Sequence, residues 1–285
     1  MGDIMLQNME NMLKKAYEGK YAVPQFNINN LEWTRFILEE CEKLKTPVIL
    51  GVSEGAVKYK GGYKTVVDIV KGLINHLNIT IPIAIHLDHG TSYESCRDAI
   101  KAGFTSVMID ASTHPIEENV RITKSVVDYD KNVTVEAEVG AVGGEEDGIE
   151  KELAYAELED AIKMVNESGV HFLAPALGSV HGPYKGEPKL DFIRMAKINN
   201  ELNIPLVLHG ASGIGDNLIK EAISNGVAKI NINTELQIAW SNAVREFLLE
   251  NPNVYDPRKV IKSGEEALKK IVRDKVTLFG SAGEA

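Results

Sequence analysis

Eight short apolar runs rich in β-branched residues recur along the chain, and amphipathic stretches of helical period separate them. The runs are YAVPQF, PVILGVS, PIAIHLD, SVMID, VTVEAEV, FLAPAL, PLVLHG and AKININT. Short strands that alternate with helices are typical of βαβ units and a parallel sheet. Because no linker-like segment interrupts the eight units, the 285 residues predict one domain, residues 1–285, folded as a (β/α)8 TIM barrel.

An open doubly wound sheet is the alternative arrangement of such units. It needs a G-x-G-x-x-G turn after the first strand, whereas YAVPQF leads into the segment Asn27-Ile-Asn-Asn30. Glycines also follow several helical stretches directly before the next strand, at Gly103, Gly169 and Gly226, where they predict helix C-caps. The sequence therefore favours the closed barrel.

Charge and cysteine content narrow the functional classes. The net charge is −10, which provides no general electrostatic attraction for nucleic acid. Two cysteines cannot form a disulfide framework, so we expect Cys41 and Cys96 to be reduced, half-buried helix residues. The N-terminal segment has no continuous apolar run, and no run approaches the ~20 residues of a membrane span. We therefore expect a cytoplasmic protein without a membrane partner.

The active site of a TIM barrel lies where the strands end and the βα loops begin. Polar residues occupy that position after all eight predicted strands. They are Asn27, Ser53, Asp88 with His89, Asp110, Glu138, His181, His209, and Asn231 with Asn233. Folding alone does not require a polar residue at every exit, so the pattern predicts a functional site at this end of the barrel.

Three of the seven histidines precede a glycine: His89, His181 and His209. They follow predicted strands three, six and seven, so their side chains converge if the barrel closes. Three neutral imidazoles with one open coordination position match the ligand count of a catalytic Zn²⁺ site. Of the others, His86 has the parity of an inward-facing core residue, so we expect it to be hydrogen-bonded inside the barrel.

A carboxylate and an acidic loop accompany this predicted zinc site. Asp88 directly precedes His89, where it could exchange a proton with a hydroxyl group of a metal-bound substrate. The loop of residues 139–148 holds four glycines and three acids, which is typical of a mobile lid that brings a carboxylate over the site. A second glycine-rich loop, residues 178–186, carries His181 and Lys185.

The loops after the last two strands predict a phosphate site. Gly210-Ala-Ser-Gly213 follows strand seven, and Asn231-Ile-Asn-Thr234 follows strand eight and opens a helix. Backbone N–H groups and a helix N-terminus hold phosphate at this place in many barrels. An acidic protein could bind a phosphate there without a basic patch.

Together, QFNINN, GVSEGA, HLDHG, SVMIDAS, EAEVGAVGGEED, LGSVHGPYKG, LVLHGASGI, KININT and YDPRK resemble the class II, metal-dependent fructose-1,6-bisphosphate aldolases. The resemblance extends from about residue 5 to residue 280, and the short join after Asp88-His89 is similar to the shorter subgroup of that family. It implies reversible aldol cleavage to dihydroxyacetone phosphate and glyceraldehyde 3-phosphate through a zinc-stabilised enediolate. Such a reaction belongs to glycolysis and gluconeogenesis.

The resemblance also implies a role for individual residues. His89, His181 and His209 match the zinc ligands, Asp88 the proton donor at the C4 oxygen, and Glu146 the base that exchanges the C3 proton. Contacts to dihydroxyacetone phosphate fall on Gly182, Gly210, Ala211, Ser212, Asn231, Ile232, Asn233 and Thr234. Asn27 and Ser53 match contacts to the aldehyde half, and Asp110 and Glu138 match positions tied to a second divalent or a monovalent cation. Arg258 matches an arginine that reaches the far phosphate from a neighbouring subunit, which implies a homodimer or homotetramer.

Several alternatives remain open at this point. HGASG is common in tagatose-1,6-bisphosphate aldolases, which serve galactitol and tagatose catabolism, whereas Asn233 resembles the fructose enzymes; we expect fructose 1,6-bisphosphate as substrate. Lys229 has inward parity, so a Schiff-base aldolase is a second hypothesis. Three histidines and a carboxylate would also suit a metallohydrolase. A sugar-phosphate binding protein without activity is the remaining class.

Overall fold

The computed structural model describes residues 6–146, 148–184 and 186–285. Residues 1–5, Asp147, Lys185 and the side chains of Glu146 and Ile149 lie outside the described part. The described strands are β1 Val23–Asn27, β2 Val48–Ser53, β3 Ile83–Gly90, β4 Ser106–Ile109, β5 Thr134–Val139, β6 Gly143–Glu146, β7 Ile149–Lys151, β8 Phe172–Pro175, β9 Val180–His181, β10 Leu206–Leu208 and β11 Val227–Ile232. The described helices are α1 Glu10–Gly19, α2 Leu31–Leu44, α3 Glu54–Tyr59, α4 Tyr63–Leu77, α5 Tyr93–Ala102, α6 Ile116–Val127, α7 Leu158–Ser168, α8 Phe192–Leu202, α9 Asp216–Ser224, α10 Thr234–Glu250, α11 Pro257–Lys262 and α12 Glu265–Phe279.

Eight of these strands form a closed parallel barrel in the order β1-β11-β10-β8-β5-β4-β3-β2. They correspond one to one with the eight apolar runs, so the predicted TIM barrel is confirmed. The register places Ser53 of β2 beside Asp88 of β3, and Gln25 of β1 beside Asn231 of β11. All eight strands end at the same rim, which brings the polar exit residues together.

The amino end of the barrel is closed by α1. Met9, at its N-cap, and Leu13, within it, are fully buried, and they cluster with residues from inside the barrel such as Ile49 and Phe172. Burying these apolar side chains stabilises the closed end by roughly 1.5–3 kcal/mol for each large one. The opposite end, where the strands finish, stays free for chemistry.

The helices pack around the outside of the barrel and form the larger apolar core with it. Gly103 and Gly169 cap α5 and α7 in the left-handed conformation, as predicted. Cys41 and Cys96 are free thiols on α2 and α5, but both are fully buried rather than half-buried, because they face the sheet. Burial raises the pKa of both thiols, so they are poor nucleophiles. Within the described part of the chain, no helix combines the length and apolar character needed to cross a bilayer.

The acidic glycine-rich segment forms a small sheet above the barrel. Strand β6 pairs with β7 in an antiparallel hairpin and with β9 in parallel, giving the order β7-β6-β9. Gly144 pairs with His181 across this sheet, so the hairpin lies directly on the backbone of a predicted zinc ligand. The predicted lid therefore has regular structure and is attached to the site.

Candidate active site

A cleft opens at the carboxyl end of the barrel. Ten residues from five of the predicted exits and their loops line it: Asn27, Asp88, His89, His181, Gly182, Gly210, Ser212, Asn231, Asn233 and Thr234. Every one of them was a predicted site residue. The closed sheet thus brings together residues as far apart in sequence as Asn27 and Thr234.

The three predicted zinc ligands converge at this cleft: His89 and His181 line it, and His209 is buried next to them. The ring centroids of His89 and His181 are 4.9 Å apart, those of His89 and His209 4.8 Å, and those of His181 and His209 5.7 Å. One nitrogen from each ring lies within 4.8 Å of the others, close enough to share an ion. The predicted convergence is therefore observed.

The hydrogen bonds of two of these rings indicate which nitrogen faces the ion site. Nδ1 of His89 lies 2.8 Å from Asp110 Oδ2, and Nε2 of His209 lies 2.7 Å from Glu136 Oε1. A carboxylate only accepts, so these nitrogens carry hydrogen and donate it. The remaining nitrogens, His89 Nε2 and His209 Nδ1, lie 3.0 Å apart. That separation is close to the ~3.3 Å edge of a tetrahedron with Zn–N bonds of 2.0–2.1 Å, so the residues fit a zinc ion.

The backbone at two of the ligands is unusual for different reasons. His89 itself has a positive φ of 54°, which is rare outside glycine and turns its ring into the cleft. Gly90 follows because a Cβ there would lie 2.8 Å from Met108 O. At Gly210 the φ is +62°, and a Cβ would lie 2.4 Å from Val180 O. Close packing therefore requires the glycines after His89 and His209, and at Gly210 the positive φ also favours glycine.

A buried charge network supports the site from below. Glu136 is fully buried, and its second carboxylate oxygen lies 2.8 Å from the Lys229 ammonium. Lys229 also donates to Asn231 Oδ1 at 2.9 Å, so its ammonium is engaged by two groups. This placement argues against the Schiff-base hypothesis, because a reactive amine has to be neutral and directed at the substrate. His86 is fully buried, with Nδ1 2.9 Å from Ser106 Oγ, which confirms its hydrogen-bonded core role.

Sequence analysis missed Glu136, although its parity offered a signal. Glu136 and the predicted Glu138 are two residues apart on β5, so their side chains lie on the same face of the strand, and both are fully buried. We considered only the residue at the strand end. The inward residue one step deeper holds His209, because it occupies the layer of side chains beneath the rim.

The Asp88 carboxylate is held by two amides. Asn27 Nδ2 donates to its Oδ2 at 2.9 Å, and Asn231 Nδ2 donates to its Oδ1 at 3.4 Å. Burial opposes ionisation, yet the neighbouring His89, His209 and Lys229 hold the pKa of Asp88 well below its usual range. The carboxylate is therefore ionised and ready to accept a proton, which is the state that bond cleavage requires.

The phosphate loops have the expected form. Helix α10 is 17 residues long and begins at Thr234, so its free N–H groups and positive dipole end face the cleft. Tyr184 joins the loop of residues 178–186 to the loop of residues 210–213. Its hydroxyl donates to Gly210 O at 2.8 Å and accepts from Val180 N at 3.1 Å. Ala211 and Ile232 are fully buried, so only their backbone is available to a ligand.

Ser53 and Arg258 are among the predicted site residues that do not line the cleft. Ser53 is buried beside Asp88, and its Oγ accepts from Ala56 N at 3.2 Å as the N-cap of α3. Arg258 lies on α11 with its side chain 88% exposed, paired with Asp256 at 2.9 Å. Glu146 ends β6, and its side chain lies outside the described part. Their predicted roles remain predictions.

A second cluster of charged groups adjoins the three histidines. Ligand atoms of His89, Asp110 and Glu138 lie within 4.8 Å of one another. The second cation predicted for Asp110 and Glu138 remains a prediction. Burial and the nearby Asp110 charge raise the pKa of Glu138 to about 7. Lys151, which sequence analysis did not single out, lies 2.5 Å from Asp110 Oδ2 and 3.8 Å from Glu138 Oε1.

The closed (β/α)8 barrel and its three converging imidazoles define the class of this protein: a TIM barrel with three histidines at its strand ends that could hold a divalent metal ion. Residues 7–284 match the family model described as "Fructose-bisphosphate aldolase class-II". The chain belongs to the class II fructose-bisphosphate aldolase family.

Curated relatives and solved structures agree with this assignment. Fructose-bisphosphate aldolase from Geobacillus stearothermophilus is 60% identical over 283 residues, covering 98% of this chain and 99% of that protein. The protein of the same name from Staphylococcus aureus is 54% identical, with the same coverage. The crystal structure of the YdjI aldolase from Escherichia coli K12 is 34% identical and superposes with a TM-score of 0.85, covering 99% of this chain and 100% of that one.

Proposed function

We propose that this chain catalyses the reversible aldol cleavage of fructose 1,6-bisphosphate to dihydroxyacetone phosphate and glyceraldehyde 3-phosphate, in glycolysis and gluconeogenesis. One observation carries the proposal: the ionised Asp88 lies beside three converging imidazoles, and Asp88, His89 and His181 line the same cleft as the N-terminus of α10. A proton acceptor, a metal centre and an anion cradle are the three parts that cleavage of a phosphorylated ketose needs. The names of the 60% and 54% identical relatives support the fructose substrate over its tagatose epimer.

A Zn²⁺ ion held by His89, His181 and His209 would supply Lewis-acid polarisation of the ketose carbonyl. Asp88 accepts the proton of the C4 hydroxyl as the C3–C4 bond breaks and the aldehyde leaves. Asn27 and Asn231 fix the carboxylate oxygens for this transfer, one amide on each oxygen. In the synthetic direction Asp88 returns the proton to the C4 oxygen.

Glu146 then delivers a proton to C3 of the enediolate, which gives dihydroxyacetone phosphate. Its position at the end of β6 supports this role, because the hairpin lies on the backbone of His181. Closure of the hairpin excludes water, which would otherwise promote loss of phosphate from the exposed enediolate.

The substrate's two ends are assigned to different loops. The phosphate of the dihydroxyacetone half binds the backbone and hydroxyls of Gly182, Gly210–Ser212 and Asn231–Thr234. Asn27 and Ser53 contact the aldehyde half. Arg258 of the partner subunit binds the far phosphate in a homodimer or homotetramer, and its exposure on α11 leaves it available for this contact. We place the enzyme in the cytoplasm.

Steady-state assays of the purified chain test the proposal. Fructose 1,6-bisphosphate should be cleaved with zinc present, and a chelator should abolish turnover. His209→Ala should lose both zinc and activity because two imidazoles cannot hold the ion, whereas His114→Ala, at an exposed histidine, should keep both.

Each alternative function predicts a different result. Faster cleavage of tagatose 1,6-bisphosphate than of fructose 1,6-bisphosphate would assign the tagatose compound as the substrate. Trapping of a covalent enzyme–substrate adduct by borohydride would indicate a Schiff base. Release of inorganic phosphate without triose phosphates would indicate a hydrolase. Full zinc content in dialysed His209→Ala would contradict the ligand assignment.

A further inference from the structure

The lysine inside the second charged cluster is the unexplained group beside the site. Lys151 ends β7, the return strand of the lid hairpin, and its side chain is only 17% exposed. Its Nζ lies 2.5 Å from Asp110 Oδ2 and 3.1 Å from Ser112 Oγ. A flexible, strongly hydrated ammonium is seldom buried unless it has partners of opposite charge, so this position is specified by the carboxylates.

Lys151 Nζ would compete with a second cation for the same oxygen of Asp110. Asp110 Oδ2 accepts from His89 Nδ1 at 2.8 Å and from Lys151 at 2.5 Å, so this oxygen is shared by both donors. A divalent ion on the same oxygen would lie about 2.0–2.2 Å from it, in van der Waals overlap with the ammonium and repelled by its charge. The residues present therefore do not fit a second metal ion while Lys151 is in place.

The charges of the cluster also favour a lysine in place of a second metal ion. The side chain of Asp110 is only 6% exposed, and a buried carboxylate needs a positive charge nearby. Lys151 provides one, attached to the chain.

We propose that the Lys151 ammonium is the resident cation of the Asp110–Glu138 cluster. The chain then holds one metal ion, at the three histidines, and needs no second. The same contact fastens the hairpin that carries Glu146 to the barrel, because Lys151 pairs with Gly144 of β6. Lys151 is thus a positioning residue that acts through Asp110 on the orientation of His89.

Metal counting tests the proposal without reference to activity. Protein loaded with one Zn²⁺ is titrated with Mn²⁺, an ion that favours carboxylate oxygens, and free Mn²⁺ is measured by electron paramagnetic resonance. The native protein should bind no Mn²⁺ tightly. Lys151→Met, which keeps the length of the side chain and loses its charge, should bind one Mn²⁺ per chain.

Matched variants locate the new site. Lys71→Met removes the same charge at an exposed position of α4 and should bind none. Lys151→Arg should also bind none, since it keeps a cation in place. Adding Asp110→Asn to Lys151→Met should abolish the gained Mn²⁺. Hydrogen exchange of residues 143–151 should accelerate in Lys151→Met, whereas a lysine with only a structural role would accelerate exchange without a gain in metal.

Two results would overturn the proposal: one tight Mn²⁺ in the native protein, or none in Lys151→Met. If Lys151→Met fails to fold, Lys151→Gln replaces it, and the native titration is decisive in any case. Because the count concerns the second cluster, its failure leaves the proposed aldolase function standing. If the native protein did not retain the first Zn²⁺, that result would instead contradict the proposed aldolase function.

Discussion

The Glu136 carboxylate joins His209 to Lys229 inside the barrel: one oxygen lies 2.7 Å from His209 Nε2 and the other 2.8 Å from the Lys229 ammonium. His209 and Glu136 are 73 residues apart in sequence and meet because β5 and β10 both pair with β8. The pair fixes the imidazole with Nδ1 toward the cleft, so one carboxylate below the rim determines how a metal ligand is presented.

Glu136→Gln should weaken zinc binding by about 10–100-fold, the usual effect of losing a carboxylate that orients a ligand. The amide keeps the size of the side chain but leaves Lys229 without its counter-charge, so the free energy of unfolding should also fall. Competition with a chromophoric chelator measures the affinity. Glu246→Gln on the exposed face of α10 is the control. Unchanged zinc affinity would mean that the Glu136 contact does not position His209.

Asp88→Asn should keep the zinc and the bound substrate but lower kcat by roughly 10²–10⁴, the value of one positioned proton-transfer group. The amide preserves the shape of the side chain, and it cannot accept the C4 proton. Zinc content by mass spectrometry and steady-state cleavage are measured on the same preparation. A parallel loss of zinc and activity would assign Asp88 to metal binding instead.

Glu146→Ala should abolish exchange of the C3 proton of dihydroxyacetone phosphate, measured as detritiation by the enzyme alone. Cleavage uses Asp88, so a single turnover should still release glyceraldehyde 3-phosphate, and ferricyanide should oxidise the stranded enediolate. The steady-state rate should fall about 10²–10⁴-fold with zinc unchanged. Glu145→Ala is the matched variant and should exchange normally. Near-normal exchange in Glu146→Ala would transfer the role to Glu145 or Glu138.

Gly144→Ala should separate the lid hairpin from the site. A Cβ at Gly144, whose φ is +91°, would lie 2.1 Å from His181 O, so the hairpin would have to move. We expect lower kcat with native zinc content, because the lid excludes water and carries Glu146. Gly148→Ala is a close control, since its φ is +80° but a Cβ there would have no neighbour within 4 Å. Equal effects of the two substitutions would show that backbone strain alone is responsible.

Zinc binding by the metal-free protein should release about one proton at pH 7–8. Burial opposes the charge on His89, but the bonded Asp110 and the nearby Asp88 raise its pKa to about 10, so the ring is protonated there. Burial lowers the pKa of His181 and His209, which are therefore neutral. Among the three ligands, protons compete with zinc only at His89. The affinity of the protein for zinc should therefore rise about tenfold per pH unit up to pH ~10. Calorimetry in buffers of different ionisation enthalpy counts the proton.

The same calorimetry on Asp110→Asn provides the contrast. Without that carboxylate the pKa of His89 falls, so fewer protons should be released. Equal proton release in both proteins would mean that the released proton comes from a group other than His89.

The barrel and most of the rim could be predicted from local pattern. The eight strands follow from β-branched runs that alternate with helical periods, and a closed parallel sheet puts every strand end at one rim. His89, His181 and His209 were therefore predictable as a cluster, as were Asp88 and the loops of the anion cradle. The lid hairpin was expected only as a loop, because glycine and acidic residues have little strand propensity; its pairing with β9 forms it.

What the sequence by itself determined is the set of residues at the rim, because strand period and strand end are local properties. Tertiary structure alone decided which of them touch. The hydrogen bond from His209 to Glu136 and the ion pair from Lys151 to Asp110 join residues 73 and 41 positions apart. Such contacts depend on how the strands stagger around the closed barrel and on where the hairpin folds back over the rim. Neither the strand stagger nor the hairpin position produces a periodic pattern in the sequence, because both are set by the packing of the whole barrel.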